Sequence, residues 1–124
     1  MNRKSFTEMM LDCFSTIGDH PFEGYTDTTV FRHENNKKWF ALLMNIPAAK
    51  LGLNGGDIDV VNLKCAPDLL DSLWQERGIF PAYHMNKAHW ITVALDGSVS
   101  RETLKWLVGI SYDLTKKKTK KTEL

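Results

Sequence analysis

The sequence predicts an α+β domain: three helices and an antiparallel-dominated sheet of about five strands, in the order α-β-β-β-α-β-β-α. Three observations carry this reading. A capped amphipathic segment opens the chain, two pairs of β-rich runs each flank a short polar turn, and strands do not alternate with helices as a parallel sheet requires.

Ser5 and Glu8 form an S-x-x-E capping pair. Phe6, Met9, Met10, Cys13, Phe14 and Ile17 then fall on one apolar stripe, which predicts a helix that Gly18 ends. His20–Tyr25 reads as a loop, with Pro21 restricting its predecessor and Gly24 permitting a turn. Thr28–His33 and Lys38–Ile46 are β-rich and flank the polar turn Glu34–Lys37, so they form a first hairpin that Pro47 stops. A connector ending Leu53-Asn54-Gly55-Gly56 leads to a strand over Asp57–Lys64. Pro67 suits the first position of a second helix and Asp68 its positive dipole end. Leu69, Leu70, Leu73 and Trp74 make its apolar side, and Gly78 stops it.

Ile79–Met85 and Trp90–Leu95 form a second hairpin, turning at Asn86-Lys87-Ala88-His89. Ser98–Ser100 opens a third helix with Leu104, Leu107, Val108 and Tyr112 on its stripe. Trp106, Ile110 and Leu114 widen that stripe, so this helix is either buried on more than one side or offers a surface to a partner.

A chain of 124 residues, 43% hydrophobic and 25% charged, can bury one core without disulfides or metals. These values exclude disordered, collagen-like and disulfide-packed chains. There is no apolar run long enough to span a bilayer. Thr7, Glu8 and Asp12 interrupt the first apolar segment, which argues against a secretory signal and predicts a cytoplasmic protein. Cys13 and Cys65 both sit in apolar segments and are expected as buried, reduced thiols.

The net charge of +1 is asymmetric. Residues 1–115 carry 11 basic and 14 acidic side chains, net −3, whereas 116–124 carry five lysines and Glu123, net +4. This predicts a single domain over 1–115 and a lysine-rich disordered tail over 116–124. A nucleic-acid-binding domain ordinarily carries its positive charge on the body.

Motif searches exclude several chemistries. There is no GxxxxGK[ST], GxGxxG, HExxH, CxxC or GxSxG, so the sequence predicts no enzyme, no catalytic residues, no metal and no cofactor. His84 and His89 flank the second turn and can approach a shared metal, but no third or fourth ligand can be named. Strand-end residues packed on Tyr83 and Trp90 are the simpler reading. The surrounding segment is the most site-like part of the chain: Lys87 can meet a phosphate, and His89 or Trp90 can stack on a base. The candidate nucleic-acid contacts are Arg32, Lys37 and Lys38 at the first hairpin, His84, Asn86, Lys87, His89 and Trp90 at the second, and Lys116, Lys117 and Lys118 in the tail.

Val61–Pro67, then Gly78–Val93 with its Pro81-Ala82-Tyr83-His84-Met85-Asn86-Lys87-Ala88-His89-Trp90 core, then Ile110–Leu114, resemble the bacterial MmcQ/YjbR family. Val30-Phe31-Arg32 and Trp39-Phe40-Ala41 are similar to its first hairpin, so the resemblance covers about residues 5–115. It implies a CyaY/frataxin-like α+β domain that binds DNA with two hairpins as a double wing. The expected function is a small binding module for DNA, acting weakly and salt-dependently through hairpin tips and tail. The alternative is a protein-interaction domain that uses the apolar surface of the C-terminal helix on another protein or a second copy. No membrane is expected as a partner.

Overall fold

The computed structural model describes residues 1–19 and 27–116. The loop expected at His20–Tyr25 and the tail lysines from Lys117 onward lie outside the described residues. Among the described residues, six strands form one sheet: β1 (Thr16–Asp19), β2 (Thr29–His33), β3 (Trp39–Pro47), β4 (Asp57–Lys64), β5 (Ile79–Pro81) and β6 (Trp90–Ala94). Their order is β1-β2-β3-β4-β6-β5, and every pair is antiparallel. The helices are α1 (Arg3–Cys13), the short α2 (Leu70–Leu73) and α3 (Arg101–Thr115). Among the described residues no helix is long and apolar enough to cross a membrane.

The α+β reading holds, with one strand more than expected. The first helix starts and stops earlier than its stripe suggests. Asn2 caps it: the Ser5 amide donates to Asn2 Oδ1 at 2.8 Å, and the Asn2 amide donates to Ser5 Oγ at 2.9 Å. Phe6, Met9 and Met10 are buried, and Phe14 leaves the helix in an extended conformation. Thr16 and Ile17, both β-branched, then pair with His33 and Arg32 as edge strand β1, and Ile17 faces solvent rather than the core. Cys13 is exposed, contrary to expectation, because it stands on the solvent side of the last turn; Cys65 is buried.

The second helix is also shorter than expected. A 3₁₀ turn over Pro67–Leu69 precedes α2, and Gln75 and Glu76 donate to the carbonyls of Ser72 and Leu73 three residues back, which ends it. Gly78 follows at φ 89°, where a side chain would collide with Ser98 Oγ. The second hairpin is shortened as well. β5 stops at Pro81, and residues 82–89 form a loop instead of continuing the strand.

The helices cover one face of the sheet. Phe6, Met9 and Met10 of α1 and Leu104, Leu107 and Val108 of α3 pack with Phe31, Leu43, Val61, Leu63, Ile91 and Val93. A bulge between Phe31 and Arg32 lets Phe40 and Ala41 both join this core. The opposite face buries Val30, Leu42, Met44, Ile46 and Val60 beneath Leu51, Tyr83 and Met85, and among the described residues no α-helix packs on this cluster.

The last turn of α3 is tied to the end of β2. His33 is buried between Phe40 and Tyr112, ring centroids 4.9 and 4.3 Å away, and its Nε2 shares a hydrogen bond with Thr115 Oγ1 at 2.8 Å. Asn36 Nδ2 donates to the Thr115 carbonyl at 3.0 Å. Ser111 Oγ donates to the Phe40 carbonyl and accepts from the Lys64 amide.

Burial disfavours the charged imidazole and lowers the His33 pKa below its ordinary 6.5, against the raising influence of the Tyr112 carbonyl and Asp113. A group depressed in this way stabilises the fold fully above its unfolded value and loses that contribution as pH falls through 6.5 toward the folded value. Thermal unfolding followed by circular dichroism should therefore show Tm dropping as pH falls from neutral to about 5, within the ordinary histidine titration range. The drop should be shallower in His33→Gln; equal slopes would assign the acid sensitivity to other groups.

Candidate functional site

The site-like segment is built on a buried polar network. Asn62 of β4 and Thr92 of β6 are opposite one another in register, and both have 0% exposure. Thr92 Oγ1 donates to Asn62 Oδ1 at 2.5 Å and accepts from the Tyr83 amide at 2.9 Å, while Asn62 Nδ2 donates to the Tyr83 carbonyl at 2.8 Å. Both backbone groups of Tyr83 are thus held over the centre of the sheet. The loop after β5 lies on the helix-free face, with Tyr83 and Met85 packed on its apolar residues.

The rest of the loop is shaped by local chemistry. His84 takes a left-handed φ of 59°, and its ring stands edge-on to Tyr83 at 4.0 Å. Asn86 Oδ1 accepts the Ala88 amide at 2.7 Å, and the Asn86 carbonyl accepts the amides of His89 and Trp90. The His89 carbonyl accepts the Cys65 amide at 2.7 Å.

Tyr83 and His84 make a ridge between two grooves. One, about 580 Å³, is lined by Trp39, Leu42, Met44, Ile46 and Met85 together with the ridge. The other, about 470 Å³, is lined by Lys50, Leu51, Phe80, Pro81 and Lys87 together with the ridge. Both volumes fall within the range of ordinary ligand sites.

The structure distributes the sequence-predicted residues over two places. Lys37 and Lys38 are exposed at the β2–β3 turn, with Lys37 at φ 62°. Arg32 lies on the helix-free face, 3.0 Å from Asp19 and 5.3 Å from the centre of the Trp39 ring. His84 and Lys87 line the second groove, Asn86 and His89 shape the loop, and Trp90 is half-buried opposite Lys64. Lys116 is exposed, 3.6 Å from Asp113, a pair that solvent screens; Lys117 and Lys118 lie outside the described residues. Sequence reading placed Tyr83 in the site-like segment but did not single out Trp39, Lys50, Asn62 or Thr92. An Asn between apolar neighbours in β4 was the available signal.

No group of three or more metal-ligating side chains occurs among the described residues. Burial pushes the Cys65 thiol up, so it stays protonated and is a poor nucleophile.

The YjbR family model matches residues 13–114. The chain belongs to the YjbR family. YyaQ of Bacillus subtilis strain 168 is 38% identical over 117 residues, covering 94% of this chain and 99% of that protein. YjbR of Escherichia coli K12 is 45% identical over 53 residues, covering 42% of this chain and 45% of that one. A crystal structure of a Pseudomonas syringae protein superposes with a TM-score of 0.90 at 48% identity, over 94% of this chain and 100% of the other. A Deinococcus radiodurans crystal structure gives 0.71 at 28% identity, over 96% and 83%. The grooves of this YjbR-family protein lie within the matched residues.

If the polar network holds the loop, Thr92→Val keeps the shape but leaves the Tyr83 amide and Asn62 Oδ1 unpartnered. The expected loss is about 1–3 kcal/mol in urea unfolding, with faster hydrogen exchange at the Tyr83 amide. Unchanged exchange at that amide would show that the loop is held by its apolar contacts alone.

Proposed function

We propose that this YjbR-family protein is a nucleic-acid-binding module that engages the phosphate backbone with the β2–β3 turn and the lysines that follow α3. The observation that carries the reading is the tie between Asn36 and Thr115. It puts Lys37 and Lys38 at the same end of the molecule as Lys116, from which the remaining lysines continue in sequence. Separate basic groups are thereby gathered at one end of a body that is net −3. Such contacts position a duplex without reading its sequence. In this reading the β5–β6 connection, whose Tyr83 carbonyl accepts from Asn62 over the sheet, is not used as the second wing that the family resemblance implies.

Fluorescence anisotropy with a labelled duplex across a salt series tests this. Each phosphate contact should contribute about −0.9 to the log–log salt slope. Deleting residues 117–124 should make the slope shallower, and Lys37→Ala with Lys38→Ala should remove up to about two further contacts. Absence of binding at low salt would overturn the reading.

A second reading has its own observation. Trp106 and Leu114 on α3 are 53% and 45% exposed, whereas Ile110 packs against the core. This supports a protein contact on α3, with another protein or a second copy as partner. A concentration-dependent change in mass by light scattering, abolished by Trp106→Ser, is the result expected for self-association.

A further inference from the structure

The helix-free face carries more than phosphate contacts at the turn would use. A track crosses it from that turn. Lys37 and Lys38 stand at its start, and the next residue, Trp39, lines the first groove with Leu42, Met44 and Tyr83. The ridge follows, and Lys50 and Lys87 line the groove beyond it. No acidic side chain is among the described residues lining either groove. The sequence along the track is thus basic, aromatic and apolar, then basic again. His84, a bulky residue held at positive φ, forms the boundary where the track must be crossed.

We infer that this track takes a single strand of nucleic acid, with an unpaired base lodged against Trp39, Met44 and Tyr83 and a neighbouring phosphate between Lys50 and Lys87. The inference rests on the nucleic-acid reading and narrows it from duplex to single strand. A base offers two flat apolar faces, and both are covered by neighbouring bases inside a duplex. Only an unpaired base can present one to an aromatic groove, and stacking of this kind tolerates any base. The methionine thioether suits an aromatic face. The two grooves lie on either side of a ridge, so the backbone between base and phosphate must bend over it. A single strand bends at that scale, whereas a duplex is stiff over tens of nanometres. Lysines serve the phosphates as point charges and impose no sequence.

The test uses the full chain at one fixed salt concentration. Anisotropy is read with a labelled mixed-sequence oligonucleotide, single-stranded and as its duplex. The single strand should bind about tenfold or more tightly, the expected scale of one stacked base. Lys50→Ala with Lys87→Ala changes two exposed side chains and should lower single-strand affinity about tenfold while leaving duplex affinity within about twofold. Tryptophan fluorescence should be quenched by the single strand, and Trp39→Phe should remove that quenching while binding persists. Equal affinity for the two forms, or single-strand binding indifferent to both lysines, would overturn the inference and leave the duplex reading standing. If neither form binds even at low salt, the nucleic-acid reading falls and this inference falls with it.

Discussion

The hydrogen bonds among Asn62, Thr92 and Tyr83 are the constraint from which the rest of the helix-free face follows. Two polar side chains at zero exposure in the middle of a sheet are costly unless each donor and acceptor is matched. Here the match comes from the loop backbone, through the amide and carbonyl of one residue. The sheet therefore requires the loop, and the loop has no other sheet partner beyond Pro81. Once Tyr83 is fixed, the ridge is fixed, and so are the grooves on either side. An apolar pair at positions 62 and 92 would pack as well in a sheet but would leave the loop without its register.

The bulge in β2–β3 is the second device. It puts Phe40 and Ala41 in the helix-side core together and turns Trp39 toward the other face, where Arg32 lies against its ring. Without that extra residue the alternation of β3 would carry Trp39 to the helix side. The helix side is meanwhile closed by aromatic contacts of Phe14, His33, Phe40 and Tyr112, and by the hydrogen bonds of Ser111 and Thr115. The other face buries a smaller apolar cluster, Val30, Leu42, Met44, Ile46 and Val60, beneath the partly buried Trp39, Leu51, Tyr83 and Met85.

The sequence showed the class of fold because periodicity and turn chemistry are local. The 3.6-residue stripe of α1 and α3 and the alternation of β4 and β6 needed no tertiary information. The misread boundaries have tertiary causes. Ile17 continued the spacing of the α1 stripe, but pairing with Arg32 drew it into a strand. Tyr83 and Met85 alternate as strand residues do, yet Asn62 and Thr92 take the hydrogen bonds that a further strand would have taken. The site was half legible. The density of polar and aromatic residues around Tyr83–Trp90 pointed to the segment whose Tyr83 and His84 line both grooves, and its resemblance named the family. The grooves were not legible, because Lys50 and Trp39 come from distant parts of the chain and meet the loop only after it folds back.

A body with net charge −3 is compatible with a basic track, since charges on a protein surface act locally. Screening confines each to about 8–10 Å at physiological salt. The helices carry Glu8, Asp12, Asp71, Glu102 and Asp113 against Arg3, Lys4, Arg101 and Lys105, so that side holds an acidic excess. Lys50 and Lys87 line the second groove, and neither groove is lined by an acid among the described residues. On the proposed nucleic-acid reading, a polyanion would be repelled weakly by the helix side and attracted to the lysines of the second groove, so the difference between faces, rather than net charge, would set its orientation.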